Sequence, residues 1–122
     1  MKEHIRRYDR QAEYFIDEGC FVNELSNSAE DTAVSIAQAR VPVGVSTRWH
    51  RLNGTVERYV ILSGKGLVEI GDLPMQHVAV GDVVVIPAGC RQRITAVGAD
   101  ELVFLAICSP RFNMDEYEDL EE

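Results

Sequence analysis

The chain has 122 residues, 46% of them apolar and 26% charged, enough for one folded domain whose core needs no disulfide or structural metal. That apolar share excludes a disordered protein, and no run approaches the ~18 apolar residues of a membrane-spanning helix. The formal charge is −8, but residues 113–122 hold six acids and no Lys or Arg, so the preceding 112 residues carry only −2.

Taken from its start, the sequence MKEHIRRYDR has no apolar segment of the kind a secretory leader needs. Residues 1–19 read as a polar arm. Lys2, Arg6, Arg7 and Arg10 make a short solvated charge run and not the broad basic face that nucleic acid requires. Neither nucleic acid nor membrane is therefore expected as a partner. Cys20, Cys90 and Cys108 show no paired spacing and no C-x-x-C, which implies reduced thiols and a cytoplasmic setting.

From about residue 20 the chain alternates short β-like runs with turn signals. The runs lie near 20–25, 31–40, 46–51, 57–63, 66–70, 76–80, 82–87, 91–96 and 101–109. Asn53-Gly54, Gly64-Lys65-Gly66, Gly71 to Pro74, Gly81-Asp82 and Gly98 to Asp100 punctuate them. Many short strands at this spacing predict an all-β sandwich or barrel. Gly64 and Gly66 suit a tight hairpin, and Gly81 a turn needing positive φ. Val83 to Ile86 is apolar without alternation, which predicts burial on both faces. After Asn113, a capping residue with Asp115 and Glu116 in the first turn, the chain is expected to form a short C-terminal helix or tail over 113–122.

Chemistry-bearing residues cluster between Gly44 and Ala96. His50 follows Gly44 after five residues, Leu52 follows one residue later, Glu57 after four more and Gly64 after six. Farther on, Gly81 is followed after five residues by Pro87-Ala88-Gly89, then after two by Gln92 and after three by Ala96. Strand alternation puts Arg48, His50 and Leu52 on one face, Glu57, Tyr59 and Ile61 on another, and Cys90, Gln92 and Ile94 on a third. Trp49 and Arg51 point the opposite way from His50.

These two segments resemble the cupin motifs G-x5-H-x-H-x3,4-E-x6-G and G-x5-P-x-G-x2-H-x3-N. Leu52 stands where the first has its second histidine, while Gln92 and Ala96 replace the histidine and asparagine of the second. The resemblance implies an antiparallel cupin β-barrel (a double-stranded β-helix or jelly roll) over about 20–109 of a single domain, 1–122. It also implies that His50, Glu57 and Gln92 surround the family's metal position, with Leu52 filling the slot of an absent imidazole. A divalent Zn, Fe, Ni or Mn ion would then be held by one imidazole, one carboxylate and an amide oxygen, the last a poorer ligand than imidazole.

The same residues admit a metal-free reading. A carboxylate facing a barrel interior must be paired or protonated. Glu57 would then take His50 or Arg48 as partner, Leu52 would dry the wall and raise the Glu57 pKa, and Gln92 would line a pocket. Glu57 and His50 are the catalytic candidates, and Arg48 and Tyr59 the substrate-binding ones. Cys90 offers a soft ligand but reads as a small buried hydrophobe, and His4 and His77 as surface polar groups.

Resemblance to short bacterial cupins suggests a small polar organic ligand and an isomerase-like enzyme of carbohydrate or small-acid metabolism. The alternatives are a non-catalytic ligand-binding cupin with a degenerate metal site and a cupin dioxygenase, whose usual three-histidine set is not here. A homodimer is expected, with Trp49 and Arg51 facing outward and the basic arm complementing the acidic tail.

Overall fold

The computed structural model describes residues 1–121 and contains eleven β-strands and two three-residue 3-10 turns. The strands are β1 (Tyr14–Ile16), β2 (Cys20–Ser28), β3 (Asp31–Val41), β4 (His50–Leu52), β5 (Val56–Ser63) and β6 (Gly66–Ile70). They continue with β7 (Gln76–Val78), β8 (Val83–Ile86), β9 (Gln92–Ala96), β10 (Leu102–Ser109) and β11 (Tyr117–Asp119). All pairings are antiparallel. Six strands form one sheet in the order β1-β2-β3-β10-β5-β8, and five form a second in the order β11-β4-β9-β6-β7.

Alternation of side chains explains how the sheets meet. In β5, Glu57, Tyr59 and Ile61 point inward between the partly exposed Val56, Arg58 and Val60. In β9, Gln92, Ile94 and Ala96 do the same. Val41, Ile61, Ile86 and Phe104 of the first sheet meet Val68, Ile70, Ile94 and Ala96 of the second in one buried cluster. Full burial of side chains of this size is worth about 1.5–3 kcal/mol each, before the conformational entropy that folding costs.

Four expectations change in detail. The strands make two facing sheets and not one continuous hydrogen-bonded barrel. The Gly64–Gly66 turn is not a hairpin, because β5 and β6 lie in different sheets and the turn carries the chain across. Its glycine is required by space as well as by a φ of +80°, since a Cβ there would lie 2.3 Å from the carbonyl oxygen of Glu101. In β8, Val84 and Ile86 are buried while Val83 and Val85 are each 57% exposed. Among the described residues this edge strand pairs with β5 alone, and its outward valines are left exposed.

The C-terminal helix does not form. Asn113 caps as expected, accepting from the Asp115 amide at 3.0 Å, but the helix stops after Met114–Glu116. The chain then runs on as β11 beside β4, with Tyr117 opposite Leu52, Glu118 opposite Arg51 and Asp119 opposite His50. A helix of under ten residues is marginal in water, whereas the β4 edge offers a ladder and two arginines. Arg48 reaches Asp119 at 2.9 Å and Arg51 reaches Glu118 at 3.0 Å, so these tail acids pair within their own chain. Trp49 is bracketed by the guanidinium groups of Arg91 and Arg93.

The two glycine turns can be separated by measurement. Gly81 has φ +91°, but a Cβ added there would meet nothing within 4 Å, so Gly81→Ala should cost only backbone strain, about 1–2 kcal/mol. Gly64→Ala should lose at least twice as much in denaturant unfolding. Equal losses would refute the close approach as the reason for Gly64.

Candidate functional site

A cavity of about 550 Å³ opens between the sheets. Tyr14 and Phe15 of β1 line it while remaining largely exposed, which puts them at its mouth. Phe104 and Ala106 of β10 and Phe112 form apolar wall, and Tyr59 lies 4.3 Å from Phe104, centroid to centroid. His50, Leu52 and Glu57 line it as well.

His50 is buried at 2% exposure and fixed on three sides. Its Nδ1 lies 2.7 Å from the Arg48 carbonyl oxygen, and since a carbonyl only accepts, Nδ1 carries the proton. Nε2 therefore faces the cavity, 3.4 Å from Oε1 of Glu18. The Tyr117 ring stacks on the imidazole at 5.2 Å with an 18° tilt. Glu18 and Tyr117 come from opposite ends of the chain.

Glu18 sits in the turn between β1 and β2. Gly19, with φ +102°, closes that turn by donating its amide to Ile16 at 3.0 Å, and the Arg48 amide holds the Glu18 carbonyl at 2.9 Å. Burial pushes the Glu18 carboxyl up to about 7, with the neighbouring Asp119 charge adding to the effect. Glu57, on β5, is likewise pushed up to about 7, first by burial and then by the Glu18 charge. Its Oε2 has the Cys108 thiol at 3.9 Å, and its Oε1 has no hydrogen-bond partner in the protein. Nε2 of Gln92 also lacks one, although the amide lies near enough to favour the ionised carboxylate. Oε1 of Gln92 accepts the Tyr59 hydroxyl proton, so Tyr59 offers the cavity its ring face. Burial also raises the Tyr59 hydroxyl and the Cys20 thiol, and the Cys108 thiol to about 12, so none is a ready nucleophile.

Of the residues singled out from sequence, His50, Glu57 and Tyr59 line the cavity, and Gln92 reaches it through Tyr59 and Glu57. Arg48 lies outside the lining and holds Asp119, which does line it. Sequence reasoning missed Glu18, Tyr117 and Asp119 as site residues. Gly19 gives the first a turn but says nothing of its role, and the last two reach the site only through a pairing that no local pattern announces.

As arranged, the donors do not suit a divalent metal. Nε2 of His50 is directed at Glu18, Oε1 of Gln92 is taken by Tyr59, and Leu52 presents hydrocarbon. Among the described residues no group of three His, Cys, Asp or Glu has ligand spacing. Leu52→His would put an imidazole on that wall, and calorimetric titration should then show Ni or Zn binding tightened at least tenfold. Unchanged affinity in a folded variant would refute the role given to Leu52.

The carboxyl pair also sets a pH dependence. Both groups sit above their ordinary value of 4.5, so between about pH 4.5 and 7 the folded protein binds more protons than the unfolded chain. This contribution to stability is full below 4.5 and is lost as pH rises through 7, with a size on the order of 3 kcal/mol for each carboxyl. Thermal melts should show Tm falling from pH 5 to pH 8. Glu57→Gln should flatten the fall and raise Tm at pH 8, and an unchanged slope would refute the assignment.

Comparison with known proteins agrees with this architecture. The protein is 32% identical to the uncharacterized protein MJ1618 of Methanocaldococcus jannaschii, over 99% of this chain and 98% of that one. Its fold is similar to that of Pac13, a nucleoside dehydratase also solved as Streptomyces variants with uridine. That match has a TM-score of 0.77 at 14% identity, covering 94% of this chain and 90% of the other. A conserved protein of Klebsiella pneumoniae with a double-stranded β-helix domain matches at a TM-score of 0.77 and 12% identity, over 98% and 100% of the two chains. The family model described as the cupin domain matches residues 37–108, more than half of the sequence, and the chain is a member of the cupin family.

Proposed function

We propose that the cavity binds a small polar organic molecule, and that Glu57 and His50 exchange protons with it as an acid–base pair. The observation that carries this reading is Glu57 itself. It is a buried carboxyl at the cavity wall, poised at about 7, with one oxygen unpartnered. A group that titrates near neutral pH both gives and takes a proton efficiently, as isomerisation and dehydration demand. His50 faces the same space through Nε2, and Glu18 beside it supplies or receives that proton. Tyr59 would contact the ligand through its ring face, and Gln92, behind it, would hold the Tyr59 hydroxyl and lie beside Glu57. A cavity of 550 Å³ lies within the range of sites that enclose small organic ligands. The uridine bound by the structurally similar Pac13 variants shows that the fold accommodates such a molecule elsewhere.

The test has two stages. Titration with a library of small polar molecules, followed by backbone amide shifts, should give hits that move Glu18, Glu57 and Gln92. In deuterium oxide, a bound hit should exchange a carbon-bound hydrogen, and Glu57→Gln should slow that exchange about 10²–10⁴-fold. Hits confined to the outer sheet faces would overturn the site. Cavity binding without exchange would overturn the acid–base role and leave a ligand-binding cupin.

A further inference from the structure

Resting on that assignment of the cavity, we infer that its ligand is an organic cation: an ammonium group carried on an aromatic or otherwise apolar body. The sign of the lining is the first reason. Its ionisable side chains besides His50 are acids or neutral thiols and phenols, with Glu18 and Glu57 inside and Asp17, Glu24 and Asp119 toward the exposed rim. Among the described residues no Lys or Arg lines the cavity. Three arginines close by in the fold are engaged outside the lining, Arg48 with Asp119 at 2.9 Å, Arg51 with Glu118 at 3.0 Å and Arg58 with the Ser109 hydroxyl at 2.9 Å, although the Arg58 charge is felt by the Cys108 thiol. Arg48 compensates Asp119, which leaves Glu18 and Glu57 around the single imidazole with no cation of their own.

The second reason is the unpartnered oxygen. Glu57 is only 9% exposed, yet its Oε1 has no donor in hydrogen-bonding geometry, its Oε2 has a thiol at 3.9 Å, and the one amide near the carboxylate, that of Gln92, is neutral. A buried carboxylate in this condition calls for a strong donor, and a charged N–H group satisfies it better than a neutral one. The walls supply the third reason. Tyr14, Phe15, Tyr59, Phe104, Phe112 and Tyr117 surround the space, and their electron-rich faces attract a cation while burying its hydrocarbon. An anion entering this cavity meets like charge at low dielectric and finds no guanidinium to receive it. The small-acid substrates that the family resemblance suggests are therefore disfavoured here.

Three molecules of one shape test the inference: tyramine, tyrosol and 4-hydroxyphenylacetate, which end in an ammonium, a hydroxyl and a carboxylate. At pH 8, calorimetry with amide-shift mapping should show tyramine in the cavity at least tenfold tighter than tyrosol, with no binding of 4-hydroxyphenylacetate. The double variant Glu18→Gln/Glu57→Gln should erase at least tenfold of tyramine's advantage over tyrosol. Tyrosol or 4-hydroxyphenylacetate binding in the cavity as tightly as tyramine would overturn the cation inference and leave the cavity assignment standing. The cation inference is likewise overturned if none of the three moves a cavity amide while a hit from the wider library does. If neither the three nor the library reaches the cavity, both inferences fall. The wild-type comparison decides even if the double variant does not fold.

Discussion

Two carboxyl groups and one imidazole are largely buried along one cavity wall, and the rest of the site is arranged around the cost of putting them there. An isolated buried carboxylate is expensive, and two of them facing each other are more so. Protonation relieves that cost, which is why both Glu18 and Glu57 are pushed up to about 7. Fixing Nδ1 of His50 on the Arg48 carbonyl leaves Nε2 as the group that meets Glu18. A proton on either atom bridges the two. The cluster is thus held at the point where adding or removing one proton changes its charge, a condition that stability alone would not select.

The strands that carry the family motifs provide only part of this cluster. β4, β5 and β9 place His50, Glu57 and Gln92, while the β1–β2 turn adds Glu18 and β11 adds Tyr117 and Asp119. Both additions are short elements at sheet edges, where a strand can be recruited without disturbing the inner ladder. β11 does two things at once. It covers the β4 edge, and it draws Arg48 and Arg51 to its own acids on the outside. Arg48 and Arg51 are thereby kept out of the cavity lining, and the negative character of the interior follows from where the tail binds.

Much of the fold was legible because its signals are local. Glycine turns and period-two alternation located nine strands between residues 20 and 109, and the motif spacing identified the cupin relationship that the family match shows. What sequence could not give was pairing. The Gly64–Gly66 turn looks like a hairpin turn but carries the chain between sheets, because a turn's composition does not say which neighbour its strands will choose. Val83 to Ile86 looked buried on both faces, yet an edge strand with valines outward reads identically in composition. The residues from Asn113 held a correct cap and a helix that tertiary pairing overrode. Glu18 was hidden for the same reason as Asp119: its role depends on a neighbour far away along the chain, and nothing near it in sequence betrays that.

The replacements at the motif positions pull the site's chemistry in one direction. With Leu52 and Gln92 in place of imidazoles, metal affinity weakens because one donor is lost and the other is an amide. The same two changes favour proton chemistry. Leu52 adds apolar surface to the cavity and so to the burial that raises Glu57, while Gln92 takes the Tyr59 hydroxyl as a donor and leaves its own N–H unpartnered. A metal at this place would hold Glu57 ionised by its charge, whereas hydrocarbon and a neighbouring carboxylate hold it near its midpoint. A ligand bringing positive charge would act as the missing metal does in one respect, favouring the ionised pair. Binding such a ligand would then release protons, so affinity would rise with pH across the interval in which the empty cavity destabilises the fold.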